Sequence, residues 1–166
     1  MNAAVEAEAS LVYPALVDPR CEAMVVHCSD PRLQRAFREF TATELGLQVG
    51  DFMPLVVSGG ASVLAHPSRL PKEFKFMRDR LEFYRSAMPS LKRVVLINHE
   101  RCRYSLALAK RIVGRGAVSE ARGPEELRGV EAALAPTLAK LDLKVELFYA
   151  RFVGPEGTDV FFERVV

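Results

Sequence analysis

Met24-Val25-Val26-His27-Cys28-Ser29-Asp30-Pro31-Arg32 runs from an apolar segment into a polar turn. The apolar segment reads as a buried strand, about Ala23 to His27. Pro31 suits the first position of a helix running to about Leu45. Leu33, Phe37, Phe40 and Leu45 lie near one face of it, and Gly46 marks its stop. A strand that gives way directly to a helix belongs to a parallel sheet, where active sites gather at the carboxyl ends of strands. The same grammar returns downstream. Val94-Val95-Leu96-Ile97 is a second buried run, and it ends in Asn98-His99-Glu100-Arg101-Cys102. If the two strands are neighbours, Cys28, His99 and Cys102 converge at one end of the sheet. Two thiolates and an imidazole make a zinc site with one position left open.

The remaining segments extend this pattern. Phe52 to Val57 reads as a strand closed by Ser58-Gly59-Gly60, where the glycines allow the backbone to pass close to a neighbouring group or ligand. Ala61 to Pro71 is a loop or broken helix. Lys72 to Met88 is a helix with Phe74, Met77, Leu81, Tyr84 and Met88 on one stripe, packed on the sheet. Arg93 to Asn98 is the next strand. A helix opens at Cys102 and ends near Gly114-Arg115-Gly116. Another runs from Gly123 to about Leu141 and contains Pro136. Lys144 to Phe152 and Asp159 to Val166 are strands around the turn Gly154-Pro155-Glu156-Gly157. Alternating strands and helices predict an α/β fold: three layers, a mostly parallel central sheet with helices on both faces, and an antiparallel C-terminal edge strand.

At 166 residues, with 49% hydrophobic and 27% charged residues, the chain has the balance of one soluble domain. We divide it into an N-terminal arm, 1–22, and a single zinc domain, 23–166. The net charge of +2 gives no reason to expect nucleic acid as a partner. Glu6 and Glu8 stand where a signal peptide has its basic region, and no apolar run approaches membrane-spanning length. A cytoplasmic location is expected, where the three cysteines serve as metal ligands or free thiols rather than disulfides.

Any one of these candidate residues alone is uninformative; the combination is specific. At these positions the chain resembles the β-class carbonic anhydrases, as a divergent small member. That family carries C-x-D-x-R after its first strand and H-x-x-C after a later one. Here the counterparts are Cys28-Ser29-Asp30-Pro31-Arg32 and His99-Glu100-Arg101-Cys102, and Gly50-Asp51-Phe52 matches the family's Gly-Asp before its second strand. The resemblance runs from about Ala23 to Val160.

The resemblance implies Zn2+ held by Cys28, His99 and Cys102, and reversible hydration of carbon dioxide to bicarbonate. Zinc lowers the pKa of its water to about 7, giving hydroxide at neutral pH. By the same likeness Asp30 accepts a hydrogen bond from that hydroxide, and Arg32 holds Asp30 in a charged pair. In some family members the aspartate instead swings onto zinc and closes the fourth position. On spacing alone, Asp30 before proline also reads as a helix N-cap, and Arg32 as a solvated charge. The resemblance further implies a homodimer or larger assembly, with the arm crossing to the partner. Two alternatives keep the same scaffold: a zinc hydrolase acting on carbonyl sulfide or carbon disulfide, and a non-catalytic zinc-binding protein.

The chain departs from the family pattern at three places. Arg103, followed by Tyr104, stands directly after the second cysteine, where the family usually has glycine. Val56-Val57-Ser58-Gly59-Gly60 replaces a strand end that usually reads Arg-Asn-Ala-Gly. Arg101 and Arg103 flank Cys102, either as surface charges or as a site that attracts anions. Three residues are expected to stand aside. His27 points to the face opposite Cys28, His66 reads as an exposed loop histidine with a proton shuttle as its alternative, and Cys21 precedes the strand.

Overall fold

The computed structural model describes residues 13–107 and 123–166. In chain order the described elements are β1 (Ala23–Cys28), α1 (Gln34–Thr43), β2 (Phe52–Val57), a 3-10 helix (Gly60–Leu64), α2 (Pro71–Ala87), β3 (Arg93–His99), α3 (Gly123–Leu141), β4 (Lys144–Val153) and β5 (Asp159–Val165). The strands form one sheet in the order β2-β1-β3-β4-β5. All neighbours run parallel except β4 and β5. The expected helix after Cys102 is helical over 103–107, and its remainder lies outside the described residues.

Burial explains the order. Every residue of β1 is buried, and so is all of β3 after Arg93, as central strands covered on both faces require. β2 and β5 alternate in exposure and take the edges. Pro54 carries no N–H and sits in β2, which has a sheet neighbour on one side only.

The pleat divides the core in two. Met24, Val26, Val94 and Leu96 pack with the 3-10 helix, α2 and α3 through Leu64, Met77, Leu81, Leu127 and Leu134. Ala23, Val25, Val95 and Ile97 pack against α1 through Phe37 and Phe40, together with Leu33, Leu45 and Leu47. Each fully buried Val, Leu, Ile, Phe or Met side chain among them contributes about 1.5–3 kcal/mol. In α3, Leu127, Val130, Leu134 and Leu138 face the sheet, while Pro136 lies among exposed residues on the other side.

Most boundaries fall within a residue or two of the sequence reading, and the start of α1 differs most. α1 starts at Gln34, not Pro31. The first turn is taken by a tighter structure: Leu33 N–H bonds the Asp30 carbonyl at 3.2 Å, and Arg32 N–H bonds Asp30 Oδ1 at 3.0 Å. The Gln34 amide then donates to the carbonyls of Cys28 and Asp30, tying strand end to helix start. At the other end Gly46 is left-handed, φ +66, and stops the helix as expected.

Candidate metal centre

β1 ends at Cys28 and β3 ends at His99. The register that pairs Val26 with Leu96 puts those ends side by side. Arg101 then adopts φ +54, a left-handed turn that brings Cys102 back toward the sheet. Arg32 Nη2 donates to the Arg101 carbonyl at 3.1 Å and holds this reversal. The result is a cluster in which one donor atom each from Cys28, His99 and Cys102 lies within 4.8 Å of the others, all three residues buried. The two sulfurs are 3.8 Å apart.

The donors fit a soft divalent cation. His99 Nδ1 lies 2.8 Å from the Glu100 carbonyl, which can only accept, so Nδ1 carries the proton. Nε2 is left with its lone pair, buried and without a hydrogen-bond partner. A metal-ligating histidine has this arrangement, with one nitrogen anchored to a carbonyl and the other free. The sulfurs behave as a coupled pair. Their mutual hydrogen bond raises the Cys28 thiol and lowers that of Cys102, which the Ser105 backbone N–H also favours as thiolate. A cation removes the need for that shared proton. Gly59 N–H points at Cys28 Sγ from 3.4 Å.

Asp30 and Arg32 stand beside the cluster as a clasp. Arg32 Nη2 reaches Asp30 Oδ2 at 2.7 Å, and Nε reaches Oδ1 at 3.0 Å. This hydrogen-bonded guanidinium holds the Asp30 carboxyl down at about 2. The N-cap reading of Asp30 is met only in part: its carboxylate caps the Arg32 N–H in the turn, while α1 has no side-chain cap. Cys28, Asp30, Arg32, Cys102, Arg103 and Tyr104 line a cavity of about 290 Å³. Arg103 therefore faces the site, whereas the Arg101 guanidinium lies 5.8 Å from the centre of the Phe152 ring. The same ring carries Arg32, at 5.2 Å.

The bystanders fall where the sequence placed them. His27 is on the α1 face, with its ring 4.5 Å from that of Phe37 and Nδ1 bonded to the Cys28 carbonyl. His66 is exposed. Cys21 is buried before β1, its thiol on the Ala23 carbonyl. Three supports escaped sequence reading. Asn98 accepts from Ala61 N–H at 2.9 Å and donates to Ser62 at 2.8 Å, fixing the loop that carries Gly59. Phe152 forms the shelf under the arginines, and Glu100 accepts the Phe152 N–H. The glycine pair after β2 was the one available signal, and its backbone does pass close to a neighbouring group, the Cys28 sulfur.

No protein-family model matches the chain. No curated protein matches it either. Among solved structures, it is similar to carbonic anhydrase from Streptococcus mutans, at 18% identity and a TM-score of 0.51, over 98% of this chain and 93% of that one. It is also similar to beta-carbonic anhydrase isoform I from Trichomonas vaginalis, at 14% identity and a TM-score of 0.56, over 96% and 93%. The chain is thus an α/β protein with a potential metal-ligand set at the carboxyl end of its sheet. Its fold is that of the β-carbonic anhydrases, in a divergent sequence.

Proposed function

We propose that the chain is a zinc-dependent carbonic anhydrase that hydrates carbon dioxide reversibly to bicarbonate. One observation carries this reading: Cys28, His99 and Cys102 present their donors within 4.8 Å, and His99 Nε2 is buried without a partner. Zinc in that set supplies a hydroxide nucleophile at neutral pH. Cys28, His99 and Cys102 bind the ion. Asp30 would accept a hydrogen bond from the nucleophile and so orient it. Arg32 keeps Asp30 ionised and engaged, which prevents the carboxylate from acting as a further ligand. Stopped-flow hydration of carbon dioxide by the zinc-loaded protein tests the reading. Turnover that vanishes in Cys102→Ser is expected; zinc-loaded protein with no rate above buffer contradicts it.

Hydrolysis of carbonyl sulfide or carbon disulfide at the same ligands is the second reading. It draws on an apolar cavity of about 430 Å³, lined by Val57, Val63, Leu64, Phe76 and Met77, which shares Ser58 and Tyr104 with the site cavity. Assaying each substrate separates the two.

We further propose a homodimer in which the arm, 1–22, docks on the partner of the 23–166 domain. Tyr13, Leu16 and Val17 are apolar and exposed on the described part of the arm, which supports this. A reducing, cytoplasmic setting accords with three buried cysteines, all free thiols. No helix among the described residues is long and apolar enough to cross a membrane.

A further inference from the structure

The ring of Tyr104 occupies the space directly in front of Gly59. A Cβ built on Gly59 would stand 2.6 Å from Tyr104 Cδ1 and 3.3 Å from Cε1. Gly59 itself is left-handed, φ +85, and in that conformation its N–H reaches Cys28 Sγ at 3.4 Å. Behind it, the loop is fixed to β3. A Cβ on Gly60 would come within 2.9 Å of the Ile97 carbonyl, and Ala61 N–H is bonded to Asn98. The loop after β2 is therefore held between Asn98 on one side and the Tyr104 ring on the other. What that clamp delivers is a hydrogen bond to one of the two sulfurs of the metal centre.

We propose that Tyr104 is a positioning residue for the metal centre: its ring holds the Gly59 N–H on Cys28 Sγ and so fixes that thiolate's orientation and donor strength. The inference rests on Cys28, His99 and Cys102 binding a metal. Its physical basis is general. A backbone N–H on a thiolate spreads the sulfur's charge and fixes its direction, and outer partners of this kind change metal affinity about 10–100-fold. Tyr104 is 42% exposed, so its ring is not a core support whose loss would unfold the domain.

NMR of nitrogen-labelled protein loaded with NMR-active cadmium tests the proposal. In the parent, the Gly59 amide proton is expected to couple to cadmium through Cys28 Sγ. Tyr104→Ala should lose that coupling, while cadmium stays on both sulfurs, and should bind zinc roughly tenfold more weakly in chelator competition. Tyr104→Phe, which restores the ring without the hydroxyl, should recover both. The same Gly59 coupling and zinc affinity in Tyr104→Ala as in the parent would overturn the proposal. A parent that takes up no cadmium on its cysteines would instead overturn the metal reading, and the proposal with it.

Discussion

Arg32 grips both carboxylate oxygens of Asp30, through Nη2 at 2.7 Å and Nε at 3.0 Å, while its Nη2 also holds the Arg101 carbonyl at 3.1 Å. One guanidinium thus joins the turn after β1 to the reversal that delivers Cys102. A carboxylate free to move near a metal competes for it, so under the proposed zinc reading this clasp would keep the fourth position open.

Arg32→Ala should therefore keep its metal and lose activity. Charge-assisted hydrogen bonds are worth roughly 1.5–3 kcal/mol net, which corresponds to about a ten- to hundredfold shift toward the closed form. Asp30→Asn should keep the position open but exchange the charged carboxylate acceptor for a weaker, neutral amide. Hydration rates and cobalt spectra of the two variants separate the causes. Parent-like turnover in Arg32→Ala would mean that Arg32 is only a surface charge.

The same clasp has a pH signature. The Arg32 guanidinium holds the Asp30 carboxyl at about 2, below its ordinary range. A depressed carboxylate contributes stability above its unfolded pKa and loses it as pH falls through the folded value. The contribution should be complete above about pH 4 and fade toward pH 2. NMR titration of Asp30 in Arg32→Ala should return the midpoint toward the ordinary value; an unmoved midpoint would assign the shift to something other than Arg32.

Gly60→Ala should damage the centre without replacing any of its donor residues. Gly60 has φ +54, and an added Cβ meets the Ile97 carbonyl at 2.9 Å and the Cys28 nitrogen at 3.2 Å. Left-handed backbone alone costs a non-glycine residue roughly 1–2 kcal/mol, and the clash with strand backbone adds to it. Thermal unfolding should show a lower midpoint, together with weaker zinc binding. Gly129→Ala, with open space around its Cβ, serves as the control that should not destabilise.

The arm gives a prediction about assembly. Tyr13, Leu16 and Val17 are exposed although apolar, with Val17 at 95%. Sedimentation should show a dimer at micromolar concentration, and deletion of the arm should weaken it. A monomer whose mass is indifferent to the arm would refute the dimer.

Much of this was legible because each strand is an apolar run closed by breakers. The bounds of β2 and α3 could be read directly from Phe52 to Val57 and from Gly123 to Leu141. The cluster of possible metal donors was legible because Cys28 and His99 each terminate such a run. Their meeting still required β1 to neighbour β3, although β2 lies between them in sequence. Contacts between segments distant in the chain stayed hidden. The Tyr104 ring on Gly59, Phe152 beneath Arg32 and Asn98 on Ser62 depend on tertiary placement that no local pattern encodes. The start of α1 was displaced because Asp30 and Gln34 side chains satisfy backbone groups that an earlier helix start would have used.

Zinc content per chain, measured in parallel on the parent, Cys28→Ser and Cys21→Ser, tests the central claim most directly. Cys28 belongs to the buried donor cluster and Cys21 lies beyond the other end of the same strand. About one zinc per chain is predicted for the parent and for Cys21→Ser, with most of it lost from Cys28→Ser. Equal zinc in the two variants would contradict the assignment.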